Sequence, residues 1–513
     1  MTKKTRGRQD RRDRPAPARV HGRARPGAGR SRGPRREDRD APVPETRLRL
    51  GDSEYVLERF PPSADATLRA WSAAEEHLLT LFAGFGSDSI DGPLLVLGDP
   101  HGVLATVLAD RLTSPVVRWT DSYLATVALS RNLQANGLDA SAVELVPSTA
   151  DPGSLDRSFG AVALVVPKTL ALLEYQLEWI KPCLAEGARL YAAGMTKHLS
   201  PHVGEILESR LGPTKVSRVY KKSVVFTVEV QDREVDDEAL TPSFYELDFA
   251  GPTARPAPEA RAGAAEEGVP DEGSLADDGA AEGSSTDDGA DEGSSTDDGA
   301  EGAATERAAT AEVGGGAPLR IFSFPGVFGA GRLDRGTELL LRCLPEVPAG
   351  TSVLDLGCGS GVLGLALALQ QPNSRLLLVD ESHLAVASAR LTFEENGLSA
   401  PELRVADGCE GIEPGSVDLV VSNPPFHAKH VMTVEEATRL FAPVRQVLRP
   451  DGEFYVVGAH GVDYGPTLRK MFPEVERMAT DRRYAVHRCR KQAEPIEGAD
   501  VSAAERAVPS EES

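Results

Sequence analysis

Residues 420–431 read Val-Val-Ser-Asn-Pro-Pro-Phe-His-Ala-Lys-His-Val. An apolar run ends in Asn423, Pro424, Pro425 and Phe426, and two successive prolines donate no backbone hydrogen bonds, so a strand stops there. These residue types suit a planar amine. The Asn423 amide oxygen and the Pro424 carbonyl can both accept from an exocyclic NH2 whose lone pair is delocalised into a ring. Acceptors so placed steer the nitrogen toward tetrahedral geometry and aim its lone pair at an electrophile. The prolines stiffen the loop, and Phe426 offers a face on which a base can stack. No strong base is required, because the proton can leave after the nitrogen has become cationic. The plain alternative is a proline turn that only ends a strand. His427 and His430 have a metal-ligand spacing but lack a third and fourth ligand nearby, so no metal is expected. Lys429 is placed to face a phosphate, with His427 beside the target base.

A second constellation lies upstream. Val353–Gly361 reads as a strand followed by a glycine-rich turn into a helix. Gly357, Gly359 and Gly361 allow positive φ and a close approach of backbone to ligand. A dinucleotide site comes to mind first. Asp355, however, precedes the first glycine, and a carboxylate there would repel a pyrophosphate. It suits a ligand carrying an amino group, such as the methionine part of S-adenosylmethionine. Asp380, with Glu381 beside it, closes the next strand, where an acid accepts ribose hydroxyls. Asp407 follows the third strand and is placed to meet an adenine amino group. The expected cofactor set is therefore Asp355, Gly357, Cys358, Gly359, Gly361, Asp380, Glu381 and Asp407, with Asn423 at its rim.

The elements that must position these groups alternate short apolar runs with helical patterns, the mark of an α/β fold with a parallel sheet. Strands are expected at Ser352–Leu356, Arg375–Val379, Glu402–Val405, Val417–Ser422 and Gly452–Val457, and helices at Val362–Gln371 and Ser382–Glu395. Arg482–Lys491 reads as a last strand, antiparallel to the others. Residues 45–250 repeat the pattern. Val96–Ala109 lies on Asp355–Ala368 without gaps, and the same offset sets Asp121 over Asp380 and, after small gaps, Val166 near Asn423. Val96 stands where the second copy has Asp355, and Pro100 where it has Gly359. The first copy keeps the apolar frame and has lost the polar groups. It should fold alike and lack the chemistry. Its Lys168, Lys197, His198, Lys215, Arg218, Lys221 and Lys222 form either a solvated basic face or a set of contacts to an RNA backbone.

The chain has 513 residues, 41% hydrophobic, and a net charge of −22. That charge hides unlike pieces: about +10 over residues 1–40, about −14 over 252–315 and about −5 over 492–513. The remainder stays acidic at about −13, so a polyanion must be met by local basic patches. The expected organisation is a disordered basic arm over 1–44, a degenerate front copy over 45–250, an acidic linker over 251–316, a catalytic copy over 317–492 and an acidic tail over 493–513. The linker repeats Glu282–Ala290 as Glu292–Ala300 and reads as a spacer. Five scattered cysteines form no disulfide framework and point to a reducing compartment. No long apolar run and no secretory signal are seen, so a cytoplasmic protein with no membrane partner is expected.

These motifs resemble the class I S-adenosylmethionine-dependent methyltransferases over most of 317–492. Phe324–Leu341, the Asn-Pro-Pro-Phe-His run and the degenerate front copy together resemble the ribosomal RNA guanine-N2 methyltransferases with duplicated domains. Leu68–Leu79 and Val166–Leu177 look like the branch that acts on 23S rRNA of the large subunit. The resemblance implies two tandem Rossmann-like domains with mostly parallel seven-stranded sheets, the N-terminal one silent and RNA-binding. It implies S-adenosyl-L-methionine as cofactor, ribosomal RNA as partner, a monomer, and a cover over the cofactor from Gly326, Phe328 and Asp334. The rival readings are the 16S rRNA branch, a protein glutamine methyltransferase and a non-catalytic RNA-binding assembly factor.

Overall fold

A computed structural model describes residues 45–63, 65, 67–86, 90–248, 318–424, 434–460 and 464–491. The expected arm, linker and tail lie outside the described residues, as do Pro425, Phe426, His427 and Lys429.

Each copy builds a seven-stranded sheet. In the front copy the strands run in the spatial order Val143–Pro147, Val116–Thr120, Leu94–Leu97, Phe159–Val165, Leu184–Met195, Ser223–Glu229, Thr214–Val216. The second copy follows the same order with Glu402–Val405, Arg375–Asp380, Ser352–Leu356, Val417–Ser422, Leu448–Ala459, Tyr484–Arg490 and Glu474–Thr480. In both, the last strand in sequence runs antiparallel to the strands on either side of it, and the other six run parallel to one another. The central strands are buried on both faces, as a parallel sheet covered by helices requires: Leu94–Leu97 is buried throughout. In the second copy Leu354, Leu356, Val420 and Phe454 pack with Phe441 on one face. Val353, Leu419, Val421 and Tyr455 pack with Leu340 and Leu367 on the other. This is the alternation a pleated strand imposes.

Sheet register corrects the correspondence between the copies. Val96 pairs with Arg118 and Ala163, while Asp355 pairs with Leu378 and Val421. Arg118 therefore matches Leu378, Thr120 matches Asp380, Asp121 matches Glu381 and Val165 matches Asn423. Both corrected positions move by one residue. The second copy has one residue more between its first helix and second strand, and the caps agree with the shift: Ser122 and Ser382 each cap a helix, accepting from Ala125 N at 3.1 Å and Ala385 N at 3.0 Å.

Two features lay beyond the sequence reading. The edge strand Glu474–Thr480 was not expected, and Tyr484–Arg490 lies between it and Leu448–Ala459. In addition, Ser243–Leu247 pairs antiparallel with Leu319–Ser323, Leu247 opposite Leu319. That pair packs on helix His383–Glu395, where Phe322 N donates to Thr392 Oγ1 at 3.0 Å. The chain on either side of the acidic segment is thus held together in one ladder.

Candidate active site

The acids converge at the C-terminal ends of the second sheet's strands, the edge at which open α/β sheets bind ligands. Asp355 is 1% exposed. Its Oδ2 accepts from Gly364 N at 2.9 Å, in helix Val362–Gln370, while its buried Oδ1 has no partner among the described residues. Burial pushes its carboxyl up to about 7, with the Asp380 charge adding to the effect. A cationic group delivered to Oδ1 would satisfy both the orphaned atom and the charge. The turn that follows holds Gly357, Gly359 and Gly361 at φ of 73°, 54° and 79°. At Gly361 a side chain would also press on Ala389, whose Cβ lies 3.0 Å from an added Cβ. Gly359 N donates to Asp380 Oδ2 at 2.9 Å, and Ser382 N donates to Asp380 Oδ1 at 3.0 Å. Each carboxylate oxygen keeps acceptor capacity for a hydroxyl. The Cys358 thiol is buried beneath this turn and held well above its usual range by burial, so it packs as an apolar group.

Glu381 and Asp407 are engaged by protein groups. The Glu381 carboxylate accepts from Ser122 Oγ of the front copy. Asp407 takes Arg439 Nη1 on both oxygens at 2.7 Å. Arg439 and the serine were not anticipated.

Asn423 follows strand Val417–Ser422 and is 9% exposed; the adjoining Pro424 is buried as well. Its Nδ2 donates to Thr337 Oγ1 at 2.8 Å and Asp334 Oδ2 at 3.2 Å. Asp334 caps helix Arg335–Leu341, accepting from Gly336 N at 2.8 Å. A carboxylate only accepts, so the amide nitrogen must face it. Oδ1 then points elsewhere, buried and without a partner among the described residues. Thr337 was missed by the sequence reading. The signal was available in the cap, since an N-cap Asp fixes which side chain of the first turn faces it.

The basic residues of the front copy divide. Lys168 follows strand Phe159–Val165, Lys197 and His198 follow Leu184–Met195, and Lys221 and Lys222 precede Ser223–Glu229, so all five sit at one edge of the sheet and are exposed. Thr196 N donates to Lys222 O at 2.9 Å, tying the two loops together. Lys215 lies toward the opposite edge, paired with Glu229 at 3.1 Å, and the exposed Arg218 stands between.

The crevice of the front copy is closed by its own groups. Asp99 replaces Cys358, and its carboxylate accepts from Leu104 N at 3.2 Å and Ala105 N at 3.0 Å. Ala105 corresponds to Gly364, so Asp99 caps the helix that Asp355 caps in the other copy. Arg118, 2% exposed, lies beside it, donating to Ala125 O at 3.0 Å and to Asp99 O. Among the described residues, no cluster of three or more His, Cys, Asp or Glu could hold a metal, and no helix is long and apolar enough to cross a membrane.

Residues 318–488 match the Methyltransferase small domain family, and residues 45–232 match the family described as the RLMG N-terminal domain. Ribosomal RNA large subunit methyltransferase G of Streptomyces avermitilis is 34% identical over 439 residues, covering 85% of this chain and 97% of that protein. The chain belongs to the ribosomal RNA large subunit methyltransferase G family. The Streptomyces coelicolor member is 36% identical over 441 residues, covering 86% of this chain and 98% of its own. The two-copy fold of the family is shared with the 16S rRNA N2 G1207 methyltransferase (RsmC) of T. Thermophilus, solved with AdoMet and guanosine. That structure superposes with a TM-score of 0.58 at 20% identity, over 87% of this chain and 98% of that one.

Proposed function

We propose that the chain transfers a methyl group from S-adenosyl-L-methionine to the exocyclic N2 amine of a guanine in 23S rRNA, as a cytoplasmic monomer. Family membership supports the rRNA substrate and the large subunit. The observation that carries the chemistry is the Asn423 carboxamide, with its nitrogen held by Asp334 and Thr337 and its buried Oδ1 without a partner among the described residues. The bound cofactor supplies an electrophilic methyl on a sulfonium.

Asp355 Oδ1 holds the cofactor's ammonium, the Gly357–Gly361 turn admits it closely, and Asp380 accepts from ribose hydroxyls. Asp407 and Glu381 flank the adenosine end. Asn423 Oδ1, with the Pro424 carbonyl, accepts from the guanine amine and turns its lone pair toward the methyl. The Asp334 carboxylate, accepting from Nδ2, polarises the amide and strengthens the acceptor. As the C–N bond forms, the methyl's C–S bond would break with its electron pair staying on sulfur, leaving a neutral thioether, and the now cationic amine would then release its proton to water. Phe426, next in sequence after the two prolines, is the residue that would stack on the base, with His427 and Lys429 as the candidate RNA contacts that follow it. The exposed lysines of the front sheet's edge meet the RNA backbone.

The test uses labelled methyl and purified rRNA, with the labelled nucleotide mapped. Label in N2-methylguanine of 23S rRNA is expected. Label in 16S rRNA or in protein would replace the reading. Asn423→Ala should keep cofactor affinity and lower turnover by about 100-fold, the scale seen when one preorganised polar group is removed. Unchanged turnover would remove Asn423 from the mechanism.

A further inference from the structure

The wall behind the adenosine end of the crevice is built partly by the other copy. Asp121, Ser122 and Tyr123 follow strand Val116–Thr120 of the front sheet and lie against Glu381, Ser382 and His383 in an antiparallel bridge centred on Ser122 and Ser382. Asp121 Oδ2 accepts from Ser382 Oγ at 2.6 Å, Oδ1 accepts from Leu384 N at 2.8 Å, and its carbonyl accepts from His383 N at 2.8 Å. Tyr123 N returns a bond to Glu381 O at 2.8 Å, and Ser148 Oγ braces Asp121 from behind at 2.6 Å. The Tyr123 phenol lies against Glu410, within reach of the Asp407 charge. One three-residue segment thus touches both acidic turns of the crevice.

Ser382 is gripped from two sides. Its hydroxyl is held by Asp121 and its N–H by Asp380. Asp380 has Gly359 N as its other donor, so the orientation of its carboxylate depends on where the Ser382 turn sits. Sites of this kind need their supporting contacts to hold geometry within about half an ångström.

We propose that Asp121 is a positioning residue for the cofactor: the copy that has lost the chemistry sets the affinity of the other copy's adenosine site through the Asp121–Ser382 contact. The inference rests on the reading of Asp380 as the ribose acceptor.

The test uses the full chain. S-adenosylmethionine is titrated calorimetrically into wild type, Asp121→Ala and Asp121→Asn, adenosine is competed against it, and a large-subunit rRNA transcript is bound separately. Asp121→Ala should raise the Kd of S-adenosylmethionine about tenfold and that of adenosine by the same factor, a loss typical of removing a charged hydrogen-bond acceptor. The rRNA Kd, and kcat at saturating cofactor, should hold. Asp121→Asn keeps an acceptor toward Leu384 N and should fall between; it carries the test if the alanine variant does not fold. Unchanged cofactor and adenosine affinity in a folded variant would overturn the proposal, as would a loss shared equally by cofactor and rRNA. A wild-type chain that binds neither compound would instead overturn the cofactor reading itself.

Discussion

Asp355, read as the acceptor of the cofactor's ammonium, would couple binding to pH. Its folded-state carboxyl is raised to about 7 by burial. A raised acid stabilises the free fold at low pH, and that contribution is lost as pH climbs from the ordinary carboxylate range through about 7. Binding of an ammonium has the opposite sense, because it needs the carboxylate. S-adenosylmethionine affinity should therefore rise from about pH 6 as the carboxylate forms and stop rising near about pH 8, where the ligand's own ammonium begins to lose its proton. Glu381 is also raised to about 7, by burial first, with the Ser122 hydrogen bond opposing and the Asp380 and Asp121 charges adding, so the two acids change charge over the same pH range. Calorimetric titration across pH checks this. Asp355→Asn should bind more weakly at pH 8 and show a shallower slope, left to the other buried acids of the site, Glu381 and Asp380, which burial also raises. A slope equal to that of wild type would assign the titration elsewhere.

Among elements, the two strand–turn–helix units offer an internal comparison. The front copy folds this unit with Pro100 where the second has Gly359, so the fold tolerates proline there. The chemistry should not. Gly359 sits at φ 54°, which a proline ring locked near −65° cannot adopt, and its N–H is a donor to Asp380. Gly359→Pro should still fold, as the front copy does with Pro100, with a melting temperature lowered by the refitted turn, and should raise the cofactor Kd at least about tenfold. Calorimetry and thermal melting separate the two effects. Local pattern made these units legible: apolar runs, a glycine turn, Ser382 as a cap, acids at strand ends. The one-residue offset between copies was not legible, because strand register is a pairing property and the extra residue sits in a loop. Glu474–Thr480 escaped because it is an edge strand with no buried residue, and the adjacent charges of Glu476 and Arg477 break its alternation. Asp121 escaped because it acts on a residue far along the chain, and sequence spacing carries no trace of such a contact, whereas Thr337 was signalled only indirectly, through the Asp334 cap three residues before it.

At the scale of the whole molecule, the chain on the two sides of the acidic segment is held together, whatever the segment itself does. Leu247 and Leu319 face each other in one ladder, and the copies touch directly through Asp121 and Ser382, so the length of chain between 248 and 318 does not set their separation. Removing 260–310 leaves about 20 residues between those two leucines, which still span a closed loop. Treated as the unstructured chain its composition predicts, the segment resists closure only logarithmically with length. Shortening it by nearly two doublings should stabilise the fold by roughly 1 kcal/mol. The deletion also removes many acids that would repel a phosphate backbone. Thermal melting should show an equal or slightly higher midpoint, and methyl transfer to 23S rRNA should stay within about twofold of wild type at moderate salt, with a gain at low salt where repulsion is unscreened. A folded deletion variant without activity would show that the segment takes part in the reaction.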